Sequence, residues 1–118
     1  MKRDDEYIRE MLFEAEESSS YQYLASKPYD DSDEDKKRHY HAELLCDAGF
    51  FVRLNPEGVY RMTSQGHDYL DAIRDETIWN KTKEVAVSIG GGTLSMLLGI
   101  AVELLKKEAA EKFGIPLP

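Results

Sequence analysis

HAELLCDAGFF, from His41 to Phe51, sits inside a longer stretch, Asp33 to Thr63, whose reading decides the fold. Tyr40, His41, Leu44, Leu45 and Ala48 recur at spacings of three and four, the period of one helix face, and predict a stripe turned towards a core. Gly49 stands just past the last of them, where glycine takes the left-handed conformation that ends a helix without steric cost. Phe50 to Leu54 then reads as a strand. Its apolar face is expected on Val52 and Leu54, alternating with Phe51 and Arg53; beyond Asn55-Pro56-Glu57-Gly58, Tyr60 and Met62 alternate with Val59 and Arg61. Pro56 suits the second position of a type I turn and Gly58 the fourth, which closes a short hairpin. The stretch therefore predicts a helix leading directly into a two-stranded wing.

Upstream of it, Tyr7, Ile8, Met11, Leu12 and Ala15 form the stripe of an amphipathic helix from about Arg3 to Glu17. Asp4, Asp5 and Glu6 lie in its first turn, where carboxylates favour the positive end of the helix dipole. Ser18-Ser19-Ser20 ends it, and Tyr21 to Ser26 alternates as a short strand able to lie beside the wing, closed by Lys27-Pro28. In the run from Asp30 to Arg38, acids precede bases by one turn, as suits the start of a helix. Downstream, Ser64 to Thr77 reads as one helix, capped by Thr63 or Ser64, with Leu70, Ile73 and Thr77 at core spacing. Gly66 in its first turn points to close packing against a neighbour, and Trp79 reads as a core or interface anchor.

The composition changes beyond Lys83. From Val85 to Val102 no residue is charged, and Gly90-Gly91-Gly92 divides the run. A membrane span needs roughly 20 apolar residues, and three consecutive glycines argue against one here. Thr93 instead predicts an N-cap for a new helix from Leu94 to about Phe113. Leu94, Leu97, Leu98, Ala101, Leu104 and Leu105 give that helix a wide apolar stripe, opposite Glu103, Lys106 and Lys107. The stripe is covered either by its own domain, by a second copy, or by another protein.

With 118 residues the chain is expected to hold one modest core. Cys46 is its single cysteine, which excludes an internal disulfide, and the first ten residues carry no apolar run of a signal peptide, so a cytoplasmic setting is expected. A formal net charge of -8 opposes nucleic acid at long range. Residues 1 to 80 hold nineteen acids and ten bases, so that repulsion sits on the wing-bearing part. Any DNA contact must come from a local strip. Arg38 and His39, with Asp35, Ala42 and Cys46, lie opposite Leu44 on a helical wheel; Lys36 and Lys37 flank them, and Arg53 and Arg61 are expected on one side of the wing. Chemistry has thinner support. His67 and Asp71 are one turn apart, as a base and its orienting carboxylate would be, but no nucleophile or oxyanion-hole motif accompanies them. His39, His41, Cys46 and His67 follow no metal-ligand spacing.

The run HAELLCDAGFF resembles the end of the recognition helix and the first wing strand of winged-helix proteins. Over nearly its full length the chain also resembles a narrower group, the small bacterial and phage proteins collected as domain of unknown function 2513. The matching parts are Met1-Lys2-Arg3-Asp4, Tyr40-His41 with Leu44-Leu45 and Ala48-Gly49, Thr63-x-x-Gly66-His67-Asp68-x-Leu70-Asp71-Ala72, and Trp79 with the glycine-rich step into the last helix. The resemblance implies a winged-helix fold and carries no activity, substrate or catalytic residue.

The expected architecture is α+β: a winged-helix domain over residues 1–80 (helix, short strand, helix, two-stranded wing, helix), then a C-terminal amphipathic helical extension over 81–118, hinged at 90–92. The expected function is that of a non-catalytic binding module without cofactor or metal. One reading is a DNA-binding transcriptional regulator that uses Lys36, Lys37, Arg38, His39, Arg53 and Arg61 to hold duplex DNA weakly and salt-dependently. The alternative is a protein-protein adaptor that uses the acidic helix face and the apolar C-terminal helix, the latter also a candidate homodimer contact.

Overall fold

The computed structural model describes residues 1–27 and 32–114. Among them are five helices and one three-stranded antiparallel sheet, a mixed α+β architecture. In chain order these are α1 (Asp5–Glu17), β1 (Gln22–Leu24), α2 (Asp33–Asp47), β2 (Phe51–Asn55), β3 (Val59–Met62), α3 (Ser64–Ile73), α4 (Glu76–Ser88) and α5 (Leu94–Phe113). They fall into two compact units, Met1–Leu70 and the residues from Asp71 onward. Of the acidic approach to α2, Asp30 and Asp31 lie outside the described residues, as does Pro28 of the expected strand end.

The first unit is built on the sheet, ordered β1-β3-β2. The short strand expected from Tyr21 to Ser26 forms β1 and pairs with β3, Tyr23 opposite Tyr60. The hairpin closes at Asn55, whose Oδ1 accepts from the N–H groups of Glu57 (3.0 Å) and Val59 (3.3 Å). Gly58 lies at φ 92°, and a Cβ there would stand 2.6 Å from the Ser26 Cα, so glycine is required twice over.

Which face of the hairpin is buried differs from the expectation. Phe51 pairs with Met62 and Arg53 with Tyr60, and directly opposed residues share a face. Phe51, Tyr60 and Met62 are buried with Tyr23, whereas Val52 and Leu54 are 37% and 42% exposed. The larger aromatic rings win the inside, where Tyr23, Phe51 and Tyr60 lie ring to ring at 5.4 and 6.1 Å. One consequence follows from the two-residue period alone: Arg53 and Arg61 stand on opposite faces of the sheet, not on one side.

The α2 face is also turned from its expected setting. His41, Ala42 and Leu45 are fully buried, while Tyr40 is 38% exposed and Leu44 and Ala48 are half-buried. Ala42 thus belongs to the core and Tyr40 to the surface, the reverse of the sequence reading. A small residue lets the helix approach closely, and His41 tolerates burial because both ring nitrogens are bonded: Nε2 accepts from the Asp4 N–H (2.9 Å) and Nδ1 donates to the Lys37 carbonyl (2.8 Å). Gly49 ends the helix at φ 81°, as its position predicts. Gly66 packs against backbone: a Cβ there would fall 2.2 Å from the Phe50 carbonyl oxygen.

The single helix expected from Ser64 to Thr77 is two helices. Asp75 is extended and its carboxylate accepts from the Ile78 N–H at 3.0 Å, so it caps α4 and interrupts the run; Thr77 is exposed. Ile78, Trp79, Thr82 and Ala86 are the buried side of α4. α5 packs on α4 and buries Leu94, Leu97 and Ala101; Leu98, Leu104 and Leu105 are half-buried. The stripe is therefore covered within the chain over its first two turns, and less completely beyond. The glycines between the helices cap the end of α4. Gly91 N–H bonds to the Ala86 carbonyl (2.7 Å) and Gly90 N–H to that of Val87 (3.0 Å), a Schellman arrangement with both glycines at positive φ. Thr93 caps α5, accepting from Met96 N–H at 3.1 Å. No helix among the described residues is long and apolar enough to cross a membrane.

Candidate functional site

Most residues of the expected basic strip have partners within the chain. Lys37 bonds to the Asp4 carboxylate at 3.0 Å and stands 4.5 Å over the Tyr7 ring. Arg38 donates through Nε to the Leu24 carbonyl (2.9 Å), reaches Glu14 at 3.4 Å, and lies 4.5 Å over the Tyr23 ring. His39 meets the Ala25 carbonyl at 2.8 Å through Nδ1 and Glu43 at 3.6 Å through Nε2. Arg53 pairs with Glu43, which also accepts from the Tyr60 hydroxyl at 2.9 Å. Lys36 likewise has a partner within the chain. Arg38 and His39 thus tie the end of β1 to α2, which is a structural use of groups that suit phosphate.

The electrostatics follow from these contacts. The Tyr7 N–H, and after it Lys37, hold the Asp4 carboxyl below the usual range. Burial, and then the bond to Glu43, pushes the Tyr60 phenol up to about 12. Burial pushes the Cys46 thiol up to about 11, away from nucleophilic use. The Tyr60 bond and Glu43 raise Arg53 further, fixing its charge. Along α2, Asp33, Glu34, Asp35 and Asp47 are exposed beside Lys36 and Tyr40, so the exposed surface of the helix is acidic on balance. The other pairing considered for chemistry is not made: Asp71 bonds to Arg74 at 3.1 Å, and among the described residues no hydrogen bond joins it to His67.

Arg61 is different from the other basic residues. In register it lies between Gln22 of β1 and Val52 of β2, on the sheet face away from Tyr23, Phe51 and Tyr60. Its hydrogen bond among the described residues goes to the adjacent Met62 carbonyl, at 3.2 Å, and no carboxylate there pairs with it. Val52, opposite Arg61, and Leu24 (60% exposed), opposite Val59, share that face, and the exposed Leu54 stands at the irregularity in β2 just beyond them. To one side opens a cleft of about 460 Å³ lined by Glu16, Tyr21, Arg61, Ser64 and His67, among others. Tyr21 is held there at φ 57°, an unusual backbone setting for a tyrosine. Sequence reading missed this face because it assigned Val52 and Leu54 to the core; the adjacent Phe50 and Phe51 were the signal, since two bulky rings compete for the inside.

Comparison with known proteins places these elements in a family. Residues 2–93 match the family described as hypothetical protein, DUF2513. The chain belongs to that family. The DUF2513 match takes in every element through α4 and ends at Thr93, the N-cap of α5. An uncharacterized protein of Haemophilus influenzae is 30% identical over 90 residues, which cover 70% of this chain and 76% of that protein. No solved structure matches the chain.

Proposed function

We propose that this DUF2513 protein is a non-catalytic winged-helix module that binds another protein through the outer face of its sheet, centred on Arg61. The order α1-β1-α2-β2-β3-α3, with β1 beside β3, supports the winged-helix reading: a hairpin follows directly on the helix that would be the recognition helix. The observation that carries the functional reading is the contrast among the six basic residues. Five of the six candidates have partners inside the chain, and the sixth, with exposed apolar side chains on its sheet face, is ion-paired with no carboxylate among the described residues, Glu16 across the cleft included. A partner covering that face must bring an acid to Arg61, because a buried guanidinium left unpaired is costly, and apolar groups to Leu24, Val52 and Leu54. Duplex DNA supplies the anion and not the apolar contact, and the acidic exposed surface of α2 repels it.

The test has two arms. Labelled duplex DNA titrated at low salt is expected to show no saturable binding to the full chain. Affinity capture from the source cells is expected to recover a protein that is lost with Leu54→Asp or Arg61→Glu and kept with Lys36→Ala. Saturable duplex binding that weakens steeply with salt would restore the regulator reading.

A further inference from the structure

We infer that the tip joining α4 to α5 is a lipid-contact element that dips into the surface of a bilayer without crossing it. It goes beyond the protein-binding reading and concerns the second unit alone. Three observations carry it.

The tip is apolar and open. Val87, Ile89 and Met96 are 77%, 54% and 45% exposed, in a run of eighteen residues, Val85 to Val102, that holds no charge. Part of its backbone is bonded within the tip, and its polar side chains are the small hydroxyls of Ser88, Thr93 and Ser95. The carbonyls of Ala86 and Val87 take the Gly91 and Gly90 N–H groups, the Ser88 hydroxyl donates to Val85 (2.6 Å), and the Thr93 hydroxyl takes the Met96 N–H. Each bond made within the tip lowers the cost of meeting an apolar surface, since an unmade bond there costs several kcal/mol in general. Depth is the third point. The nearest charges are Glu84 on α4 and Glu103 on α5, so at 1.5 Å per residue the uncharged cap extends about 7 Å down one helix and about 13 Å down the other. Interfacial elements bury their apolar face by roughly 5–10 Å.

Area and charge select the occupant. Three exposed aliphatic side chains make a patch far smaller than the ~800 Å² per partner of a stable protein interface. The cap offers no charge to pair, so it asks for none in return. With a net charge of -8 on the whole chain, contact is expected to favour neutral over anionic headgroups.

Co-sedimentation of the full chain with phosphatidylcholine vesicles tests this. The wild type is expected to pellet with them, insensitively to salt, and no better when phosphatidylglycerol is added. Ile89→Asp and Val87→Asp, both at exposed positions, should lower the bound fraction about tenfold or more while the circular dichroism spectrum is unchanged. Val87→Trp should pellet as the wild type does and show a blue-shifted emission on vesicle addition. A wild type that stays in the supernatant overturns the inference. So does an Ile89→Asp protein that pellets unchanged, or a tip substitution that lowers the solution mass with no vesicle binding by the wild type, which would make the tip a contact between copies.

Discussion

Replacing Gly66 with alanine sets two effects of opposite sign against each other. Gly66 is in α3 at an ordinary backbone angle, so helix propensity alone predicts that alanine stabilises by about 1 kcal/mol. The structure predicts the reverse. The new Cβ would lie 2.2 Å from the Phe50 carbonyl oxygen, 2.7 Å from Met62 Cγ and 3.1 Å from the Phe50 carbonyl carbon. The Met62 side chain can move, but the Phe50 carbonyl cannot easily do so, because it accepts the Thr63 N–H at 2.9 Å where β3 turns into α3. Overpacking of this kind costs roughly 1–3 kcal/mol or more, and weakening that bond adds about 1 kcal/mol. After the propensity gain, a net loss of about 2 kcal/mol or more is expected. Gly99 in α5 is the control: nothing lies within 4 Å of its Cβ position, so Gly99→Ala should be neutral or stabilising by up to about 1 kcal/mol. Urea denaturation followed by far-UV circular dichroism measures both. A Gly66→Ala protein as stable as the wild type would refute the packing of α3 against the start of β2.

Asp4 makes acid stability a test of the α1 anchor. Its carboxyl is held below its ordinary value of 3.8, so the stabilisation it provides is present above that pH and is lost as pH falls through the lowered value; Asp4→Asn should flatten this acid limb in denaturation midpoints taken across pH. Arg38→Ala should destabilise by about 1–3 kcal/mol in chemical denaturation, through its contacts with Leu24, Glu14 and Tyr23; an effect below half a unit would free Arg38 for another role. With its thiol near 11 rather than 9.0, Cys46 should carry roughly a hundredfold less thiolate at neutral pH and alkylate correspondingly slowly with iodoacetamide, with the rate rising until about pH 11.

Local signals in the sequence were faithful where one residue type has one use. The Gly49 stop, the Asn55 to Gly58 turn, the Thr93 cap and the stripe of α1 all stand where chemistry places them. Orientation was harder to read, because it is settled by volumes that meet only in three dimensions. Between Asp33 and Asp47 few residues are apolar on any face, so a stripe through Tyr40 and Leu44 competes with one through Ala42 and Leu45, and close approach of the helix decides for the smaller alanine. On β2 either parity presents apolar residues, and Phe51 prevails over Val52 by size. The break at Asp75 was legible as an acid before Glu76 and an apolar run, but the unbroken spacing through Ile73 and Thr77 masked it. For the site, charge was read as availability. Lys37, Arg38, His39 and Arg53 were recognisable as basic residues, while their acidic and carbonyl partners come from distant parts of the chain.

The central claim is that the outer sheet face around Arg61 meets a protein. A photo-crosslinking residue placed at Leu54 in the source cells, with a second at Tyr40 on the outward side of α2 for comparison, tests it most directly. The account predicts a discrete protein adduct from position 54 that disappears when Arg61→Glu is added. A nucleic-acid adduct, or protein adducts from position 40 with none from 54, would contradict it.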